Sequence, residues 1–195
     1  MTLLTKGRSI RVLDMDSENR PLTYWQPDNP TADLTAIATC WADDHDSMEV
    51  MVLGEVTTEE MLVRFVERYN EADIVTAHFI RGHDLPIINA HLMEFGFPIL
   101  SPKMTCDTKL DMVKKSDLPA TQEYLIDLLE PVCPIGMPVY KEHMGQHDWR
   151  RANRLDASGL ERTRIRVSSD VHSHIHLRES MLQRGMLKAP RLWQP

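Results

Sequence analysis

Apolar positions come in short β-like runs near the start of the chain and take helical spacing further on. Ile10-Arg11-Val12-Leu13-Asp14-Met15-Asp16-Ser17 reads as a strand. Side chains alternate along a strand, so Asp14 and Asp16 share one face and Leu13 and Met15 the other. Residues 18–33, with Pro21, Pro27 and Pro30, read as a loop anchored by Leu22, Tyr24 and Trp25. Residues 34–41 are rich in apolar and β-branched side chains and predict a second strand. The turn Asp43-Asp44-His45-Asp46 leads into a third, antiparallel strand over 48–53. Thr57-Thr58-Glu59-Glu60 has the form of a capping box, and Met61, Leu62, Phe65, Val66 and Tyr69 follow at helical spacing. Residues 74–77 form a short buried-type strand. Leu85, Ile88, Leu92 and Phe95 then line a helix ended by Gly96. A brief strand around 104–106 leads to a helix through Leu110 and Met112, and residues 121–129 form another, stopped by Pro131 and Pro134. The last helix starts near Leu160 or Val167, runs to Leu182 and closes at Gly185, and the tail is extended. This order predicts an α/β class domain with a mixed five-stranded sheet flanked by helices. One domain is expected over 1–195, with its core over about 8–185.

Composition changes little in this picture, since 195 residues of ordinary globular make-up suffice to bury a core. The three cysteines, Cys40, Cys106 and Cys133, are far apart and form no Cys-x-x-Cys, which fits a reducing compartment. No apolar run is long enough to span a bilayer, and residues 1–7 lack a signal peptide's apolar core. The expected location is the cytosol, with no membrane partner. The net charge of −7 is uneven: seven Lys and Arg stand against four Asp and Glu between Lys141 and Arg166, leaving −10 on the remainder. Such a basic segment on an acidic body can guide a phosphate backbone, or it can be a mixed-charge helix face.

The acids carry the candidate chemistry. Two like-charged carboxylates on one strand face repel, and a divalent cation removes that cost. A second acid, Asp84, stands in Ala77-His78-Phe79-Ile80-Arg81-Gly82-His83-Asp84-Leu85-Pro86, between a strand and a helix, where capping is the alternative role. A third, Asp170, stands in Arg166-Val167-Ser168-Ser169-Asp170-Val171, early in the last helix, where it too has a capping alternative.

Taken together, the three sites resemble the DEDD (DnaQ-like) 3′–5′ exonucleases, above all stand-alone bacteriophage-type members and the proofreading domains of family B polymerases. Leu13-Asp14-Met15-Asp16-Ser17 is similar to that family's hydrophobic-Asp-x-Glu-Thr/Ser, with Asp in the Glu position. His83-Asp84-Leu85-Pro86 resembles its Phe-Asp-Leu-Pro, Asp170-Val171 its last motif, and Cys106-Asp107-Thr108 an Asp-Thr segment that many members carry. The resemblance implies an RNase H-like fold and a two-metal phosphodiesterase, with two Mg²⁺ or Mn²⁺ ions about 4 Å apart. It assigns the metal ligands to Asp14, Asp16, Asp84 and Asp170, with Glu18 as a fallback on the same strand face. Asp14 would bridge both ions, Asp16 and Asp170 would stand on the attacking side, and Asp84 would act through ligated water. The implied substrate is a single-stranded DNA 3′ end in replication or repair, with RNA as an alternative and a DNA polymerase as a possible partner. A binding or polymerase-accessory module with weak catalysis is the reading from another class.

One departure concerns the base. The family has Tyr four residues, or His five, before its last acid; here these positions hold Arg166 and Ile165. Arginine stays protonated and cannot accept a proton from water. The remaining roles are a phosphate contact for Arg166, or a base supplied by His83 or His174. Within His172-x-His174-x-His176, helical spacing pairs His172 with His176 and His174 with Asp170, and a structural role is expected before a zinc site. Candidate substrate contacts are Met15, Phe79, His83, Trp149, Arg150 and Arg166. For the Trp149–Arg150 stretch, a packed helix with snorkelling arginines is an equal reading.

Overall fold

The computed structural model describes residues 9–21, 32–113, 121–131 and 141–195. Most of the expected loop over 18–33, the stop at Pro134 and Cys133 lie outside the described residues. The elements are β1 (Val12–Pro21), β2 (Ala32–Trp41), β3 (Asp44–Val52), α1 (Thr58–Glu71), β4 (Ile74–Ala77), α2 (Asp84–Glu94), β5 (Lys103–Asp107), α3 (Gln122–Leu129), α4 (Gln146–Ala152), α5 (Ala157–Gln183) and β6 (Arg191–Trp193).

The sheet order is β3-β2-β1-β4-β5-β6. Strands β1, β4 and β5 run parallel, while β2, β3 and β6 pair antiparallel with their neighbours. The expected five strands are therefore six. The extended tail supplies the sixth, pairing Trp193 with Lys103 and burying the indole in the core. The expected helix through Leu110 and Met112 is instead a turn, in which Asp107 accepts from Lys109 N and Leu110 N and Met112 bridges to Leu187. Strand β1 continues past Ser17 to Pro21 because residues 32–41 pair along its whole length.

Period-two alternation gives the sheet two different faces. Leu13 and Met15 of β1 pack with Met61, Leu62, Phe65 and Tyr69 of α1 and with Leu85, Ile88 and Leu92 of α2. Each such fully buried side chain contributes about 1.5–3 kcal/mol of transfer free energy. Thr57 caps α1 by accepting from Glu60 N at 3.1 Å, while the Glu60 carboxylate faces Arg64. On the other face, β2 presents Ala36, Ala38 and Cys40, small enough for α5 to lie close through Val167, Val171 and Ile175. The distal half of α5 packs Leu177 and Met181 against Leu125, Ile126 and Leu129 of α3. Helix α5 begins ahead of either expected start because Asp156 caps it, accepting from Ser158 N at 3.1 Å. Among the described residues, no helix is long and apolar enough to cross a membrane.

Candidate metal centre

The face of β1 turned toward α5 carries Asp14, Asp16 and Glu18 in succession, and they do not share one fate. Carboxylate oxygens of Asp16, Glu18 and Asp170 lie within 4.8 Å of one another. Asp14 stands one pleat further in and is completely buried. Its Oδ1 accepts from Arg178 Nε at 3.1 Å and its Oδ2 from Arg178 Nη2 at 3.0 Å. His174 Nδ1 lies 2.9 Å from Oδ1, so this nitrogen carries the proton when the carboxylate is ionised. Burial alone would raise the Asp14 pKa. The Arg178 charge and the His174 contact outweigh it and hold the carboxyl below its ordinary value.

The carboxylates that meet on this strand are therefore Asp16 and Glu18, whereas the expectation had paired Asp14 with Asp16. His174 is committed to Asp14 rather than to Asp170, and its buried Nε2 has no partner. Met15 is also corrected. It sits at 0 % exposure in the core on the opposite face, closed to any substrate contact by its side chain.

Asp84 opens α2 but does not cap it, since the cap position is His83. The Asp84 side chain reaches across to β1 instead, where Oδ1 accepts from Ser17 Oγ at 2.6 Å and Ser17 N at 3.2 Å. It is close enough to raise the Asp16 pKa by repulsion. The loop that delivers it is held from β5. Asp107 accepts from Phe79 N and Arg81 N, and His78 Nδ1 lies 3.0 Å from Thr108 Oγ1. Phe79 adopts φ 73°, and its ring packs so near Gly82 that a Cβ there would fall 2.3 Å from it. Lys109 Nζ stands 4.0 Å from the centre of the Phe79 ring. His83 is half exposed, with Nδ1 3.7 Å from Asp84 and Nε2 3.2 Å from Asn19 Nδ2. The Asp84 contact raises its pKa against the opposing effect of burial.

Asp170 lies in the middle of α5, where capping is not its role. Lys141 Nζ at 3.0 Å and Arg166 Nη2 at 3.1 Å both meet its Oδ2, while Oδ1 is buried with no partner. Arg166 Nε also donates to Glu18 Oε1 at 3.0 Å. Lys141 was not legible as a site residue, because nothing in its surrounding sequence marks it. Arg178 sits one helical turn after His174, a spacing that could have exposed the Asp14 network. Arg150 is exposed on α4, and Trp149 lines a small cavity with Arg20, Leu53 and Leu160. Among the described residues, neither makes a hydrogen bond or ion pair to the acids.

Burial, followed by the charges of Asp170, Asp84 and Glu18, pushes the Asp16 carboxyl well above its ordinary range. Burial also raises Glu18 and Asp170, despite Arg166 beside the first and Lys141 and Arg166 beside the second. Two cations thus leave the cluster short of neutralisation. The donors are all carboxylate oxygens, and one buried oxygen is unused, which fits a hard divalent cation such as Mg²⁺ or Mn²⁺. The position also suits a ligand site, just past the end of the parallel pairing of β1 with β4, where the sheet order reverses.

No protein-family model and no curated protein matches this sequence. Solved structures do. One is a family B DNA polymerase from the hyperthermophilic archaeon Pyrobaculum calidifontis, with a TM-score of 0.65 and 17% identity over 90% of this chain. The match spans only 25% of the polymerase. The chain thus has an RNase H-like α/β fold, a mixed sheet flanked by helices, similar to one part of a family B polymerase.

Proposed function

We propose that this chain is a divalent-metal-dependent 3′–5′ exonuclease of the DEDD type, acting on single-stranded DNA ends in replication or repair. The acid set in this reading is Asp16, Glu18, Asp84 and Asp170. The observation that carries it is the meeting of Asp16, Glu18 and Asp170 oxygens within 4.8 Å, beside an unpartnered Asp170 Oδ1. A two-residue shift of the motif exchanges one departure from it for another, since Asn19 then stands at the Thr/Ser position. Met15-Asp16-Ser17-Glu18 has Glu where the family has Glu, which Leu13-Asp14-Met15-Asp16 lacks. The same reading takes residues 1–195 as one exonuclease-like domain in the cytosol, with a DNA polymerase as the partner to test.

Two Mg²⁺ or Mn²⁺ ions, when bound, would acidify a water and offset charge on the departing 3′-oxygen. Asp16, Glu18 and Asp170 would hold them directly. Asp84, already fixed by Ser17, would contribute through water. Arg166 remains charged and accepts no proton, so its role is to meet a phosphate oxygen once the ions take over Glu18 and Asp170. Phe79 and His83 stand on the loop that delivers Asp84 and would meet the terminal nucleotide. His174 is given no proton-transfer role in this reading, because its Nδ1 is engaged by Asp14.

A second reading is favoured by the contacts of Lys141 and Arg166 with Asp170. In it the two side chains stand in for the cations permanently, and the chain is a nucleic-acid-binding or polymerase-accessory module. A 5′-labelled single-stranded oligonucleotide, as DNA and as RNA, separates the two when incubated with Mg²⁺, Mn²⁺ or EDTA. The exonuclease gives a metal-dependent ladder shortening from the 3′ end, reduced at least a hundredfold in Asp16→Ala. A ladder only on RNA makes it a ribonuclease of the same chemistry. Binding without cleavage under either metal overturns the exonuclease and leaves the binding module.

A further inference from the structure

A second cluster of ligating side chains lies on another face of α5. His172 and His176 are one turn apart, and their Nε2 atoms approach to 3.3 Å. Two imidazoles bound to one tetrahedral zinc at about 2.0–2.1 Å hold their nitrogens about 3.3–3.4 Å apart. The observed spacing matches that of a shared ion and equally that of an N–H···N hydrogen bond. Behind His176, Glu179 places a carboxylate oxygen 3.8 Å from Nδ1. Metal-bound histidines commonly turn their second nitrogen to such a carboxylate, which fixes the tautomer with Nε2 free to ligate. A third imidazole comes from β3, where the His45 ring stands edge-on to His176 with centroids 5.6 Å apart. His176 is buried at 3 % exposure, whereas His172 and His45 are exposed, so the pair has a rigid inner member and an open side.

We propose that His45, His172 and His176 form a zinc site, with Glu179 orienting His176 and water completing the shell. His45 joins by turning its exposed side chain. An Nε2–H···Nε2 hydrogen bond would account for the His172–His176 pair alone. It leaves unexplained why a third histidine and a carboxylate also stand against His176. Imidazole nitrogen suits zinc and the later transition metals, while the carboxylates around Asp16 suit Mg²⁺ and Mn²⁺. Asp170 and His172 are two residues apart on one helix and therefore point to different sides, so the two centres do not share ligands. The site does not depend on the chain being a nuclease.

Zn²⁺ titration of the full chain by calorimetry, with Mg²⁺ in large excess, tests this directly, with Co²⁺ as the spectroscopic probe. One equivalent of Zn²⁺ is expected, and Co²⁺ should give the visible bands of a nitrogen-rich site of low coordination number. His172→Ala and His176→Gln should each weaken Zn²⁺ at least tenfold and remove those bands; His45→Ala should weaken it less. His172 and His45 are exposed, so their variants serve even if His176→Gln fails to fold. Wild-type affinity in His172→Ala overturns the site, and wild-type affinity in His45→Ala overturns the three-histidine set.

Discussion

Asp14 and Asp16 are two residues apart on one strand face, yet their environments differ in sign. Asp14 has a guanidinium and an imidazole against it; Asp16 has three other carboxylates around it. Asp14→Asn leaves Arg178 buried without its counter-charge and should cost about 3–5 kcal/mol, read as a lower denaturant midpoint. Asp16→Asn removes a repelled charge, so in EDTA its midpoint should equal or exceed that of the wild type. A loss of stability in Asp16→Asn comparable with that in Asp14→Asn would contradict this division. Acid unfolding separates them further. The depressed Asp14 pKa means that its contribution is complete above the unfolded value of about 3.9 and is lost as pH falls through the folded one. Asp14→Asn should therefore flatten the acid limb of the stability profile.

At the scale of elements, α5 matters most, because it carries Asp170, Arg166, His174 and Arg178 on one side and the histidine pair on another. Its first turn, capped by Asp156, crosses α4 closely. A Cβ at Gly159 would lie 2.2 Å from Ala152 N, a clash with backbone rather than with a movable side chain. Helix propensity favours Ala over Gly by about 1 kcal/mol, but at this crossing the overlap dominates. Gly159→Ala should be destabilising by about 1–3 kcal/mol in denaturant unfolding. A gain in stability would show that α4 is not packed here. β6 offers the converse case. A short tail with two prolines carries little strand signal, and it becomes the edge strand because Trp193 finds a place in the core.

Across the whole molecule, the raised pKa values of Asp16, Glu18 and Asp170 make metal, pH and stability one linked quantity. The folded state favours the protonated acids. Their contribution is therefore present below the unfolded carboxylate values and is lost as pH rises through the folded ones. Saturating Mg²⁺ should return it near neutral pH, raising Tm by about 2–4 °C for each kcal/mol of binding linkage. The shift should vanish in Asp170→Asn. An equal shift in that variant would place Mg²⁺ elsewhere. Within the basic segment, Arg151, Arg162 and Arg164 are engaged with Asp156, Glu142 and Glu55.

The sequence by itself determined the order of most elements, the two-faced character of β1 and the three acid-bearing segments, because strand alternation and helical spacing are local properties. It also placed Glu18 on the right face. Only the tertiary structure decided which carboxylates meet. Asp14 and Glu18 are equivalent by alternation, and what separates them is Arg178 beside one and Asp170 beside the other, each contributed from far along the chain. The Asp84 contact with Ser17, the approach of Lys141 and the third histidine at His45 are likewise long-range pairings. No local pattern encodes these, because they depend on how α5 lies across the sheet.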